Sequence, residues 1–327
     1  MLLAADDSKP KRIGFLLIPQ FSMMGFSAAV EPLRSANRLC GKPVYEWQLY
    51  SPDGEPIPAS NGILILPNAT LVDAAHWPQT LFVCASLDFE QWAIPSVQRL
   101  LRTLSHRGLA LGSISNGTYF LATAGLLNGC RCTAHWENIA ALREQFPHLN
   151  LTDRIYEIDR NRYTCSGGTA ALDMMLDMIA KDYSLDLALA VSEQFMHERL
   201  RTPGEQQQTA EAQTLMRQSP KLAKAISLMK LNIETPLATK AIAERIGVSL
   251  RQLERLFQAY KDCTPQRYYL VLRLTQSQRL LQQTGLAVMN VALATGFASQ
   301  SHFTKCYREY YGVTPRQCRQ QKLTQQG

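Results

Sequence analysis

The sequence has no hydrophobic run long enough to cross a membrane. Its longest apolar run near the start, from Ile13 to Ile18, is far shorter than the ~20 residues that a membrane helix needs. Residues 1–12 are polar and mixed in charge, and they lack the apolar core of a secretory signal. We therefore expect no membrane association and cytoplasmic residence.

Cysteine pairs with metal-ligand spacing are also lacking. The sequence contains no C-x-x-C, and its one C-x-C, at Cys130 and Cys132, is only a weak signal for a metal site. Without a secretory signal, we expect reduced and mostly packed thiols. The sequence therefore predicts no metal site and no cofactor. The eight cysteines are Cys40, Cys84, Cys130, Cys132, Cys165, Cys263, Cys306 and Cys318.

Acidic residues are scarce in the last third of the chain. Residues 221–327 hold 16 Lys and Arg against 5 Asp and Glu, a net charge of +11 in a chain of +7 overall, so the remainder carries −4. This division predicts a polyanion-binding module joined to a separate domain. A merely solvated basic surface is the alternative interpretation.

The hydrophobic pattern predicts two domains of different class. Up to residue 199, strand-like apolar runs alternate with helical stretches, which predicts a mainly parallel sheet covered by helices on both faces. A Pro-, Gly- and Gln-rich linker is predicted at 200–219, and an all-helical domain at 220–320. The N-terminal domain, 12–199, has predicted strands at 12–19, 45–51, 80–85 and 109–113, a hairpin at 154–164, and helices at 26–39, 97–107, 118–124, 170–182 and 184–199.

The helical domain contains an internal repeat. The segment LATKAIAERIGVS (237–249) resembles LAVMNVALATGFA (286–298), and each continues into an amphipathic segment followed by a Thr-Pro pair. Ile242 and Ile246 share one helix face, Gly247 permits a sharp turn, and Ser249 can cap the next helix. The repeat therefore predicts two helix-turn-helix units. A connecting helix at 265–282 would let both reading helices enter successive major grooves, roughly 34 Å apart.

These motifs resemble the AraC/XylS family of transcription regulators. The resemblance rests on the segments SLRQLERLF (249–257), YYLVLRL (268–274), GFASQSHF (296–303) and YGVTP (311–315). It implies that the outward residues of both reading helices contact double-stranded DNA. By motif position these residues are Arg251, Glu254, Arg255, Gln300, Ser301, His302, Thr304 and Lys305.

The most informative stretch of the N-terminal domain is GSISNG (112–117). A strand runs into a turn and then a helix, which is the pattern of a nucleophile elbow that exposes Ser115. His135 and Glu31 could supply a base and a carboxylate, so a Ser/His/Glu arrangement is conceivable.

This domain resembles the class I glutamine amidotransferase-like superfamily, in its PfpI-like branch, which has a flavodoxin-like fold. The resemblance rests on GSISNGT (112–118), AGLLNG (124–129), TAHW (133–136) and CSGGT (165–169). Enzymes of that superfamily carry cysteine at the position of Ser115, so the resemblance implies a domain that is no longer an enzyme. The alternative is a serine hydrolase or amidase that uses Ser115 and His135 and has a DNA-binding domain attached.

The combination of the two domains resembles a subgroup of AraC-type regulators that respond to arginine or to betaine- and carnitine-like amines. The segments EPLRSAN (31–37) and ASNG (59–62) are similar to its betaine/carnitine branch. The resemblance implies a homodimer, most simply an activator, with RNA polymerase as a further partner. An architectural nucleic-acid-binding protein without effector control is the other alternative. The expected effector site consists of Glu31, Ser115, Asn116, His135 and Trp136, because an aromatic face with a carboxylate suits a cation.

Overall fold

The computed structural model describes residues 9–70, 78–197, 199–207 and 210–325. The chain divides into two compact units, Met1–Gln207 and Gln208–Gly327. This division falls inside the predicted linker 200–219, whose second half contains a helix at Ala210–Gln218. The domain boundaries proposed from composition remain a prediction.

The first unit is built around a central sheet. Within the described residues the sheet has seven strands, in the order β10-β11-β7-β6-β1-β2-β5, and only the β10–β11 pair is antiparallel. Two short pairs, β3–β4 and β8–β9, lie outside it. The strands are β1 (Lys11–Leu17), β2 (Tyr45–Ser51), β3 (Ile57–Pro58), β4 (Leu64–Ile65), β5 (Ala69–Thr70), β6 (Thr80–Ala85), β7 (Ala110–Ser115), β8 (Arg131–Cys132), β9 (Asn150–Leu151), β10 (Tyr156–Asp159) and β11 (Arg162–Cys165).

Helices cover both faces of this sheet. Successive side chains of β1 enter different cores: Phe15 and Leu17 pack with α1, α5 and α6, whereas Leu16 packs with α2, α3 and α4. The predicted α/β class with a flavodoxin-like, mainly parallel sheet is confirmed. The helices are α1 (Met23–Cys40), α2 (Pro95–His106), α3 (Gly117–Thr123), α4 (Ile139–Gln145), α5 (Ala170–Asp182) and α6 (Leu185–Gln194).

The second unit is helical, as predicted. Two helix-turn-helix units, α9–α10 and α12–α13, are joined by α11, which begins at the predicted residue and ends one residue later than predicted. None of the helices in the described ranges is long and apolar enough to span a membrane. The helices are α7 (Ala210–Gln218), α8 (Pro220–Leu231), α9 (Thr239–Arg245), α10 (Leu250–Lys261), α11 (Pro265–Gln283), α12 (Val288–Ala294), α13 (Gln300–Tyr311) and α14 (Pro315–Gln325).

The repeated Thr-Pro pairs start helices rather than end units. Thr264 accepts a hydrogen bond from the backbone N–H of Arg267 at 3.2 Å, and Pro265 is the first residue of α11. Thr314 accepts from the backbone N–H of Gln317 at 3.3 Å, just before α14. Each pair is therefore an N-cap threonine followed by a proline at the first helical position, where the N–H that proline lacks would have no partner within the helix.

Candidate functional site

The first helix-turn-helix unit holds α10 against the core by one face only. Leu253 and Phe257 are fully buried, four residues apart on one side of the helix. Ser249 and Gln252 form a capping box at the helix start, with bonds of 3.2 and 2.9 Å. The three residues predicted to contact DNA on this helix are exposed: Arg251, Glu254 and Arg255.

The second unit repeats this arrangement on α13. Phe303 and Tyr307 are fully buried, and the hydroxyl of Ser299 caps the helix by accepting from the backbone N–H of His302 at 3.3 Å. The His302 ring lies 5.8 Å from that of Phe297, and its Nε2 lies 3.4 Å from the sulfur of Cys306. Of the predicted DNA-contacting residues, Ser301, His302 and Lys305 are exposed, whereas Gln300 and Thr304 are half-buried.

The two turns that precede these helices differ in their surroundings. Gly247 and Gly296 both have positive φ values, of +70° and +76°. A Cβ at Gly247 would meet nothing within 4 Å, whereas one at Gly296 would lie 2.5 Å from the carbonyl oxygen of Ile233 and 2.6 Å from the ring of Pro236. The second turn is therefore packed closely against the segment before α9.

Arg273 of α11 also holds the second turn, a role that the sequence analysis missed. Its Nε donates to the carbonyl of Thr295 at 2.8 Å, and its Nη2 donates to that of Gly296 at 2.7 Å. The guanidinium lies 4.1 Å from the ring centroid of Phe297. Burial lowers the pKa of Arg273, and its two carbonyl partners favour the charged form. Arg273 is the ninth residue of the connecting helix, and nothing in the sequence distinguishes it from a solvent-exposed arginine.

The strand–turn–helix arrangement of the predicted elbow is present, but Ser115, which the motif was expected to expose, is buried, with only 4% of its surface accessible. Ser115 ends β7 with φ = +58°, an uncommon value for a residue with a side chain, and α3 begins two residues later. The backbone N–H of Asn116 donates to the carbonyl of Ala85 at 3.0 Å. A Cβ at Gly117 would lie 1.9 Å from the carbonyl oxygen of Val83, so only glycine fits there. The elbow is thus fixed against β6.

Two side chains with nucleophilic atoms, Ser115 and Cys165, lie at the elbow. Among the residues that the structure describes, none forms a hydrogen bond with the Ser115 hydroxyl. Cys165 lies beside the elbow, and burial raises its pKa to about 12, although backbone hydrogen bonds from Gly167 and Ser115 oppose this shift. The Cys165 thiol is therefore protonated at neutral pH.

The turn that carries His135 lies next to the elbow. Nδ2 of Asn138 donates to Oδ1 of Asn116 at 2.6 Å, and the backbone N–H of Asn138 donates to the carbonyl of His135 at 2.9 Å. The Trp136 side chain is 42% exposed, and its ring centroid lies 5.7 Å from that of His135. The structure thus brings together four of the five residues predicted for the effector site: Ser115, Asn116, His135 and Trp136.

The contacts do not place the fifth residue, Glu31, in this group. Its carboxylate accepts from Nε of Arg34 at 2.7 Å on the outer part of α1, where the Glu31 side chain is 41% exposed. Gly25 is the residue of α1 that approaches the elbow, since a Cβ there would lie 3.1 Å from Ile114 and 3.5 Å from the amide nitrogen of Gly168. Glu31 lies about 9 Å further along the helix axis.

A different carboxylate, which the sequence analysis missed, lies beside the histidine. Oε2 of Glu137 is 3.6 Å from Nδ1 of His135, and the Glu137 side chain is half exposed to solvent. Its position directly after Trp136 was the only available signal. The described residues contain no cluster of three His, Cys, Asp or Glu side chains that could hold a metal ion.

A chain that contains both two helix-turn-helix units and a domain with this elbow belongs to the class of DNA-binding transcription regulators that have an amidotransferase-like domain. A helix-turn-helix domain model matches residues 242–321, and the DJ-1/PfpI family model matches residues 11–181. The chain is 44% identical to the HTH-type transcriptional regulator CdhR of Pseudomonas aeruginosa, covering 93% of this chain and 90% of CdhR. It is 42% identical to GbdR of the same organism, covering 96% of this chain and 86% of GbdR.

Two further similar proteins are also transcriptional regulators. GlxA of Rhizobium meliloti, also an HTH-type transcriptional regulator, is 38% identical over 96% of this chain and 97% of GlxA. A solved structure of an AraC family transcriptional regulator from Pseudomonas putida has a TM-score of 0.53 and 29% identity, covering 57% of this chain and 100% of that one. The chain therefore belongs to the AraC-type HTH transcriptional regulators with a DJ-1/PfpI domain. This confirms the predicted family and DNA-binding function, and the hydrolase alternative is not favoured.

Proposed function

We propose that this regulator reads its operator with the outward residues of α10 and α13. The observation that carries the proposal is the repeated arrangement of the two helices. Each is capped by serine and held by two buried side chains, and each presents basic and polar side chains away from the core. Arginine can bind guanine bidentately, whereas lysine, serine and threonine serve phosphates or base edges. The residues assigned to base or phosphate contact are Arg251, Glu254, Arg255, Gln300, Ser301, His302, Thr304 and Lys305.

The test starts from an operator selected by the full chain from random duplexes. We expect Arg255→Ala to weaken binding to that operator by about 1–3 kcal/mol, roughly 5- to 150-fold, and to relax sequence preference at one base pair. Arg308→Ala is the charge-matched control, because Arg308 is exposed on the last turn of α13. The control substitution should weaken binding to the operator and to random DNA equally. Equal effects of the two variants on sequence preference would refute the assignment.

We further propose that the first unit binds a small nitrogen-containing effector, such as a betaine- or carnitine-like amine or an amino acid. The elbow, the exposed Trp136 ring and the Glu137 carboxylate lie on neighbouring segments joined by the Asn116–Asn138 bond. An aromatic face attracts a cation through its quadrupole, and a nearby carboxylate adds charge attraction. Glu31 is left out of the proposed site, because its carboxylate pairs with Arg34.

A matched pair of ligands tests the cation requirement. Choline and its uncharged tert-butyl isostere have nearly the same shape, so a site built for a cation should raise the melting temperature of the full chain only with the first. Betaine, carnitine and arginine complete the panel, and Trp136→Leu should remove the shift of whichever cation binds. Equal shifts with the charged and uncharged ligands would contradict the proposed chemistry.

The elbow serves as a binding feature rather than a catalytic one in this proposal. The serine lacks a hydrogen-bonded base among the described residues, and the nearby Cys165 thiol is held protonated by burial. A fluorophosphonate probe should therefore leave Ser115 unlabelled under conditions that label a serine hydrolase. Labelling that disappears in Ser115→Ala would instead support the hydrolase alternative.

We also propose that the protein is a cytoplasmic homodimer that activates transcription by contacting RNA polymerase, in keeping with its family resemblance. Ile63, Leu64 and Leu66, on and beside the β3–β4 hairpin, are 54–72% exposed, and exposed apolar groups of this kind mark protein interfaces. Light scattering of the full chain should give twice the chain mass. Leu64→Glu should shift it toward the single-chain mass, whereas Leu185→Glu, an exposed leucine elsewhere, should not.

A further inference from the structure

The first unit ends in residues 199–207, a segment with a turn between Thr202 and Glu205, which we call the strap. The carboxylate of Asp173 in α5, whose side chain is 0% exposed, fixes its first half. Arg201 donates to this carboxylate from its backbone N–H at 2.9 Å and from Nη2 at 2.6 Å. Charge-assisted hydrogen bonds in a low-dielectric interior are strong, so this part of the strap is firmly attached to α5.

The second half of the strap pairs with the loop before β10. The backbone N–H of Ile155 donates to the carbonyl of Glu205 at 2.8 Å, and that of Gln207 donates to the carbonyl of Asp153 at 2.8 Å. Arg154 and Gln206 lie opposite each other in an antiparallel bridge between these two bonds. The strap therefore reaches its last residue, Gln207, in a defined register.

The side chain of Gln207 enters the turn that leads to the proposed effector site. Its Nε2 donates to Oγ1 of Thr133 at 3.1 Å and to the carbonyls of Ala134 at 2.9 Å and Arg154 at 3.0 Å. Its Oε1 is buried and accepts no hydrogen bond from the described residues. All of these partners are neutral, so this end of the strap is held by weaker bonds than the Asp173 end.

The same turn also contacts the elbow helix. The hydroxyl of Thr118 in α3 donates to the carbonyl of Thr133 at 2.8 Å. Ala134 is followed directly by His135 and Trp136. A contiguous path of hydrogen bonds thus connects the elbow, the proposed effector segment and Gln207, after which the chain continues into the DNA-binding unit.

We infer that Gln207 is a positioning residue that couples effector binding to DNA binding. This inference rests on the proposed effector function. An effector that displaces the 133–136 segment moves Thr133 and Ala134, two of the hydrogen-bond acceptors of the Gln207 side chain. The pairing of the strap with residues 153–155 then changes at its last residue, from which the chain continues into the DNA-binding unit. Coupling of this kind requires that the effector bind one arrangement of the strap better than the other. The Asp173 end stays fixed while the Gln207 end exchanges.

The test compares Gln207→Leu with Gln206→Leu in the full chain. Leucine is similar in size to glutamine but makes none of its hydrogen bonds, and Gln206 is the exposed neighbour on the same strap. Operator affinity is measured with and without betaine, carnitine or arginine, whichever raises the melting temperature of the wild-type protein. We expect wild type and Gln206→Leu to change affinity by about 5- to 150-fold on effector addition. Gln207→Leu should still bind the effector, but its operator affinity should change less than twofold.

The outcomes separate the two claims. A Gln207→Leu protein with the wild-type effector response overturns the coupling role and leaves the proposed function intact. A wild-type protein whose operator affinity ignores every ligand that it binds overturns both. If Gln207→Leu does not fold, hydrogen exchange of the wild-type chain tests the coupling role instead. Effector addition should change the protection of the Ile155 and Gln207 amides, and unchanged protection of both contradicts the inference.

Discussion

The two glycine turns of the DNA-binding unit allow a matched test of how its second half is packed. Replacing Gly247 or Gly296 by alanine imposes the same backbone penalty, because both have φ near +70°. A left-handed conformation costs a residue with a Cβ about 1–2 kcal/mol. Only the Gly296 substitution adds a steric conflict, because its Cβ would lie 2.5 Å from the Ile233 carbonyl oxygen and 2.6 Å from Pro236.

The conflict involves backbone and a proline ring, neither of which can rotate away. Relief of such overpacking typically costs a further ~1–3 kcal/mol. We therefore expect Gly247→Ala to lower the free energy of unfolding by about 1–2 kcal/mol and Gly296→Ala by about 2–5 kcal/mol. With a urea dependence of about 1–3 kcal/mol per M, the midpoints of the two variants should differ by roughly 1 M.

The chain provides its own control for this measurement. All four tryptophans precede residue 137, so tryptophan fluorescence follows the first unit alone. Circular dichroism at 222 nm includes the helical second unit. The fluorescence transition should coincide in wild type and both variants, whereas the dichroism transition of Gly296→Ala should come earliest. Equal midpoints for the two variants would show that the Gly296 turn is not packed as described.

Three further substitutions and a pH titration test other parts of the fold. Alkylation at pH 8 should modify Cys263 and spare Cys165, because burial holds the Cys165 pKa near 12. The free energy of unfolding should also fall as the pH rises from about 9 toward 12, because in that range the Cys165 thiol ionises only in the unfolded chain. Equal labelling rates would contradict this. Asp173→Ala should cost about 3–5 kcal/mol by fluorescence-monitored unfolding, because it removes the buried carboxylate that pairs with the half-buried guanidinium of Arg201. Asp177→Ala, its partly exposed neighbour, should cost under about 1 kcal/mol, and similar losses would refute the distinction. Ser249→Ala should lower the free energy of unfolding by about 1 kcal/mol, measured by circular dichroism, because it removes a capping box. An unchanged midpoint would show that the capping box does not stabilise the unit.

Local patterns allowed much of this fold to be predicted. The strand predicted at 12–19 is observed at Lys11–Leu17, because its apolar run is buried on both faces of a parallel sheet. The second reading helix follows from the spacing of Phe303 and Tyr307, which face one core. The elbow followed from a strand–turn–helix motif, although the steric reason for its Gly117, the nearby carbonyl of Val83, is seen only in the structure.

Tertiary contacts decided what the sequence could not. The helix predicted at 184–199 ends at Gln194, since Ser192 bonds to the carbonyl of His197 and the His197 ring reaches Asp173 at 2.9 Å. Helix α4 (Ile139–Gln145) was not predicted, because it is short and follows an irregular turn. Glu31 was predicted for the effector site as a carboxylate of the first helix, but a sequence does not show which part of that helix meets the elbow. In the structure the Glu31 carboxylate pairs with Arg34.

We propose that two helices of one basic unit, α10 and α13, read neighbouring turns of the same duplex. Methylation interference on the selected operator tests it most directly. We expect two groups of guanines or adenines whose methylation prevents binding, about one helical turn apart on one face of the duplex. Arg255→Ala should weaken interference within one group only, and Lys305→Ala within the other group only. A single group of contacts, or the loss of both groups in each variant, would contradict the account.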